Sequence, residues 1–151
     1  MSDLPPFEFD LATELASTAD PGSFDVTIDA GFTVGPKPNG GYLLAVAARA
    51  AAATLAEGGT AHPDPLASTA HYLAAPDPGA AQVQITVLRA GRTASQVRAT
   101  LSQDGRPCVD ATFTMGTAAP ASVTPWWSGR SPLLLAPIDE CVRLPSSREG
   151  S

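Results

Sequence analysis

The residues whose types and spacing could do chemistry lie at Asn39, Gly40 and Gly41, at the mouth of an apolar run that continues to Glu57. Asn is a good helix N-cap. The first N–H groups of a helix have no internal partner and carry the positive end of its dipole. Two glycines at that point leave the backbone donors of Gly40, Gly41 and Tyr42 open to a ligand oxygen. The same glycines would also serve if their one task were to let the helix pack tightly. From the residues alone the two readings stand level. Of the two histidines, His62 and His71, only His71 falls inside a core element, and a lone strand histidine is more often structural than catalytic.

The element that must position these groups is the run itself. From Tyr42 to Ala56 the polar side chains are Arg49 and Thr54, and alanine dominates. Alanine loses no side-chain entropy in a helix, and a helix apolar all round is normally buried. At 1.5 Å per residue the helix is roughly 24 Å long, short of the ~20 apolar residues that span a bilayer. Gly58-Gly59 stops it. The sequence predicts a helix buried on every face.

Strands must supply that burial. Leu11 and Leu15 suggest a short first helix, and Asp20-Pro21-Gly22 a turn. Ser23–Ile28 alternates as a half-buried strand and is expected to form a hairpin with Phe32–Val34. After the helix, Leu66–Ala75 reads as a strand and Pro76–Gly79 as a break. Gln82–Val87 alternates strictly. Ser95, Val97, Ala99 and Leu101 share one face of the next strand, Asp104-Gly105 is a type I′ hairpin signal, and Val109, Ala111, Phe113 and Met115 share a face on the return. The last three strands make an antiparallel meander. The order predicts an α+β fold, a curved antiparallel sheet wrapped around one central α-helix. Its open sheet edge calls for pairing.

The expected divisions are an N-terminal segment, 1–20, a core domain, 21–116, and a proline-rich extended tail, 117–151. In the tail, Trp126-Trp127 and Leu133–Leu135 read as docking anchors. At 151 residues and a net charge of −6, with no basic run, the chain suits one globular domain without a nucleic-acid footprint. Cys108 and Cys141 have neither disulfide-framework nor metal spacing, and no Cys/His/acidic cluster marks a metal site. No basic n-region precedes a hydrophobic stretch, so export is disfavoured and the cytoplasm is the expected location. No Gly-x-Ser-x-Gly elbow exists.

Four segments in order, Pro38–Ala53, Thr69–Pro76, Leu88–Ser95 and Gln103–Pro107, resemble acyl-CoA thioesterases of the thioesterase II type, built from two hotdog units in tandem. The resemblance covers roughly residues 20–116 and implies the hotdog fold. Ile138–Pro145 resembles the linker between the two units. In that family the Asp, the Thr or Ser, and the Gln that activate water belong to the second unit, and none can be carried over to this chain. The helix position where an acid would be sought holds alanine and Arg49.

The resemblance implies an acyl-CoA ligand and no cofactor. Thioester hydrolysis needs a base and donors for the developing oxyanion. Asn39, Gly40, Gly41 and Tyr42 are the candidate donors and substrate contacts, and His71 is the candidate base, with Asp64 behind it. Lys37, Arg89 and Arg92 are candidates for the coenzyme A phosphates. The expected partner is a second copy or another hotdog unit. The expected function is hydrolysis or binding of acyl-CoA thioesters between two units. Its alternatives are a non-catalytic acyl-CoA-binding subunit, half of a split or truncated thioesterase and, ranked lower, a hotdog dehydratase.

Overall fold

A computed structural model describes residues 6–119 and 134–142. The chain divides into two compact units, Met1–Ala118 and Ala119–Ser151. In chain order the first unit holds α1 (Glu8–Ala12), β1 (Ala16–Ser17), β2 (Ser23–Ile28), a 3-10 turn (Ala30–Phe32), β3 (Thr33–Val34), β4 (Lys37–Pro38), α2 (Gly40–Glu57), β5 (Asp64–Tyr72), β6 (Gly79–Arg89), β7 (Ser95–Gln103) and β8 (Arg106–Gly116). The described part of the second unit contains one 3-10 turn, Ile138–Glu140. Trp126, Trp127 and Leu133 lie outside the described residues.

Alternation decides what the sheet buries. Six strands pair in the order β1-β2-β6-β7-β8-β5, every pair antiparallel. Phe24, Val26 and Ile28 of β2, Val83 and Ile85 of β6, Val97, Ala99 and Leu101 of β7, and Val109, Ala111, Phe113 and Met115 of β8 all turn inward. They close on Tyr42, Leu43, Val46, Ala47, Ala50, Ala51 and Leu55 of α2. Full burial of one such large apolar side chain is worth about 1.5–3 kcal/mol, and the alanines let the sheet approach the helix closely. Asp104 and Gly105 both adopt positive φ, 51° and 74°, as a type I′ turn demands.

Four expectations are corrected. The first helix spans Glu8–Ala12 and leaves Leu15 outside it. Val34 does not pair with β2: β3 pairs with β4, and β2 lies between β1 and β6. The fifth strand begins at Asp64 and ends at Tyr72. The helix is not buried all round, because Arg49 and Ala56 are exposed and Leu44, Ala45, Ala48, Ala52 and Ala53 are half-buried. One sheet covers only one side of a helix. Arg49 bridges part of the open side, donating to Asp10 O at 2.9 Å and to Thr13 Oγ1 at 2.6 Å.

Tyr42 anchors the N-terminal segment to this core. Its hydroxyl donates to Ala12 O at 2.7 Å and accepts from Asp29 N–H at 3.0 Å. Its ring stacks on Phe32 with centroids 5.0 Å apart, and Phe9 meets both rings edge-on. Removing a buried partner strands the groups it served, at a cost of about 1–3 kcal/mol. Tyr42→Phe is therefore expected to lower stability by roughly 1–3 kcal/mol with the sheet intact. Denaturant melts and circular dichroism check this, and a change below a few tenths of a kcal/mol would contradict it.

Candidate functional site

The start of α2 is where the candidate residues converge. Asn39 N–H donates to Phe32 O at 2.8 Å, which fixes the approach of the chain. Asn39 Oδ1 then accepts from Gly41 N–H at 2.8 Å and from Tyr42 N–H at 3.3 Å. Two of the three amides expected to face a ligand are thus capped by the protein's own side chain. The Gly40 N–H has no partner among the described residues and is the donor left at the helix end. The Tyr42 side chain points into the core, where burial pushes its phenol above the ordinary value, partly offset by the bond from the Asp29 amide.

The sequence reading missed Tyr72. This last residue of β5 lays its ring over Gly40, and its hydroxyl donates to Gly40 O at 2.8 Å. A Cβ on Gly40 would come within 3.1 Å of that ring, so glycine is what lets the aromatic side chain close against the helix end. Tyr72 is 52 % exposed, so one side of its ring faces solvent beside the helix start. The signal in the sequence is an aromatic residue at the end of a strand otherwise rich in small side chains, Ala67, Ser68, Thr69 and Ala70.

The other candidates are dispersed. Lys37, just ahead of the helix, is paired with Asp77. The Asp77 backbone is in turn clamped by Gln103, which accepts from Asp77 N–H at 2.8 Å and donates to Asp77 O at 3.0 Å. His71 precedes Tyr72 on β5 and so points to the opposite face of the sheet, away from Gly40. It stands across from Asp110, whose carboxylate pairs with Arg98. Asp64 lies at the far end of the same strand, accepting from Ala118 N–H at 2.8 Å.

Arg89 and Arg92 are also distant. Tyr72 is in register with Val109, Val109 with Leu101, and Leu101 with Val83. Arg89 lies farther along the strand that holds Val83, roughly 20 Å away at about 3.3 Å per residue. The Arg89–Ser95 turn sits at the end of the sheet where α2 finishes. An open groove of about 730 Å³ runs elsewhere, beside Leu11, Leu15, Val26 and Ala81 with Asp25 and Asp104 on its rim, and no residue of the helix start lines it. No cluster of three metal-ligating side chains occurs, and no helix is long and apolar enough to cross a membrane, among the described residues.

On the outer face, the Arg98 guanidinium holds the Asp110 carboxyl below the usual carboxylate range, against partial desolvation and with some help from His71. A folded value below the unfolded one adds stability that is fully present above the usual carboxylate range, near ~pH 4. That stability is lost as pH falls through the lowered folded value. Asp110→Asn is expected to flatten the acid-side decline of the melting temperature below about pH 4, read by thermal melts at stepped pH. An unchanged slope would contradict the assignment.

Residues 28–116 match the family described as the acyl-CoA thioesterase N-terminal domain. An uncharacterised protein of Mycobacterium tuberculosis is 34 % identical over 145 residues, covering 87 % of this chain and 49 % of its own. The chain thus spans about half the length of the curated relatives it matches. A Thermobifida fusca structure named for thioesterase II is 32 % identical with a TM-score of 0.73, covering 85 % of this chain and 45 % of that one. A hot dog fold protein of Alicyclobacillus acidocaldarius superposes at TM-score 0.62 with 22 % identity, covering 95 % and 51 %. A Streptococcus pneumoniae hypothetical thioesterase, with coenzyme A, superposes at 0.60 with 22 % identity, covering 68 % and 86 %. The sheet and helix described above are a hotdog fold.

Proposed function

This chain belongs to the acyl-CoA thioesterase N-terminal domain family, and from that premise we propose that it binds acyl-CoA thioesters as one of two hotdog units sharing a site. The carrying observation is the edge of β5. That strand pairs with β8 on one side only among the described residues, and it ends in Tyr72 against Gly40. An unpaired edge is a template for another strand.

If two such edges pair antiparallel, the Asp64 end of one strand meets the Tyr72 end of the other. The Asp64 end is level with Gly116, and Met115 with Ser95, so it carries the Arg89–Ser95 turn at its level. Pairing therefore brings the arginine turn of one unit toward the Gly40 end of the other. An acyl thioester carbonyl would meet the Gly40 N–H beside Tyr72, with the coenzyme A phosphates on Arg89 and Arg92. Lys37 adds to that contact only by leaving Asp77. The coenzyme A bound by the pneumococcal relative supports the ligand class, and the proposal keeps the cytoplasmic location expected from the sequence.

The non-catalytic alternative has an observation in its favour. His71 faces away from Gly40, and Asp77, near the helix start, is paired with Lys37. Among the described residues the unit brings no unpaired base to the candidate carbonyl site, so on this reading hydrolysis falls to groups supplied by the second unit. An acyl-CoA titration with a parallel thiol-release assay tests this. The expected result is binding without release by the chain alone, and release when a second hotdog unit carrying the acid is added. Absence of binding at every acyl length, with and without that unit, would end the proposal.

A further inference from the structure

Two polar side chains are sealed into the end of the first unit opposite Gly40, and the binding reading above leaves them unused. Ser95, at the start of β7, is fully buried, and His62, in the loop between α2 and β5, is 7 % exposed. His62 Nδ1 lies 2.9 Å from Ser95 Oγ. Ser95 Oγ also accepts from Gly91 N–H at 3.4 Å. Oγ has two lone pairs and one proton, so it serves the Gly91 amide and the imidazole together. A buried hydroxyl and imidazole cost free energy unless paired, whereas an apolar pair would fill the space without that demand. What the polar pair adds is geometry.

The geometry it sets is that of the turn between β6 and β7. A Cβ on Gly91 would fall 2.3 Å from Ala94 O, so the turn is closed tightly on itself. The same point lies 3.9 Å from Arg89 Cζ, which places that guanidinium against the turn. Arg89 and Arg92 are both exposed, and neither has an ion-pair partner among the described residues.

We infer that His62 and Ser95 are positioning residues for a phosphate-binding turn: Ser95 Oγ, held by His62 Nδ1, fixes the Gly91 amide and with it the directions in which Arg89 and Arg92 meet the ligand. The inference rests on the acyl-CoA reading given above. Loosening the turn leaves both charges in place but spreads their directions, and pre-organised guanidiniums lose less on forming each bond.

Coenzyme A itself is the probe, titrated into the full chain, with its second unit where that unit is needed, well below the melting temperature. Ser95→Ala and His62→Leu are expected to weaken binding by about five- to tenfold, the loss of one ordered hydrogen bond. His62→Asn puts an amide group near the Nδ1 position, able to accept from or donate to Ser95 Oγ, and is expected to restore affinity to within about threefold of wild type. That restoration is what a merely structural role would not produce. The His62 pair of variants repeats the test should Ser95→Ala fail to fold.

The double variant Arg89→Ala/Arg92→Ala separates the two layers. If it binds as wild type does, the phosphate role of the turn fails and the positioning role with it. If it loses affinity while Ser95→Ala and His62→Leu stay within about twofold of wild type, the positioning role alone is overturned. A wild type that binds no coenzyme A overturns both.

Discussion

Gly40→Val is expected to reduce acyl-CoA affinity by at least about tenfold, or ~1.4 kcal/mol, while the melting temperature moves little. Gly40 is the first residue of α2, where a side chain is compatible with helical dihedrals. The obstacle is Tyr72, whose ring atoms lie 3.1–3.2 Å from a Cβ at that point. That ring belongs to a half-exposed side chain and can swing away. Its departure breaks the bond from Tyr72 Oη to Gly40 O, worth about 1 kcal/mol net. Replacing glycine in a helix returns a few tenths of a kcal/mol. The net loss in stability is then under about 1 kcal/mol, while in the site valine covers the amide that has no partner among the described residues. Calorimetric titration beside a thermal melt checks the split. Undiminished binding would remove the helix end from the site, and a large drop in melting temperature would mean Tyr72 cannot move.

Phe24→Ala is expected to do the reverse, lowering stability by about 3–5 kcal/mol. Phe24 is 2 % exposed, on the inner face of β2, and stands opposite Val83 of β6. Truncation leaves a cavity that the rest of the sheet cannot collapse into, because β2 is held to β6 along its whole length from Ser23 to Ile28. Against a total stability of about 5–15 kcal/mol this is a large share, equivalent to a melting temperature roughly 10–20 °C lower. Affinity for acyl-CoA, measured where the variant is still folded, should stay within about twofold of wild type, since β2 contributes no group to the proposed site. A loss below about 1 kcal/mol would show that the inner face of β2 is not core.

What was legible in the sequence is what local pattern encodes. Strict alternation in Val83–Val87 and Val109–Met115 gave strands with the correct inner faces, the Asn39 cap gave the start of α2, and Asp104-Gly105 gave its turn. The ordered motifs pointed to the hotdog fold. Long-range pairing was not legible, because period-two alternation does not name a partner. Val34 was therefore joined to the wrong strand, and the open side of α2 was invisible because alanine suits both buried and half-buried positions. At the site, glycine count and cap were readable. Whether the capped amides stay open was not, since Asn39 Oδ1 serves either the protein or a ligand. Tyr72 with Gly40, and His62 with Ser95, meet only through the fold.

The two borders of the sheet are unequal, and that inequality sets how far the protein can grow by adding strands. One border, β5, offers a long backbone flank with Leu66 and Tyr72 half-exposed. The other, β1, is the two-residue strand Ala16–Ser17, and so short a ladder gives an arriving strand little to grip. Pairing through β5, as proposed, would use up the longer of the two flanks found among the described residues. Under the proposed pairing such addition would be self-limiting, since among the described residues only the short β1 border would be left for a further strand.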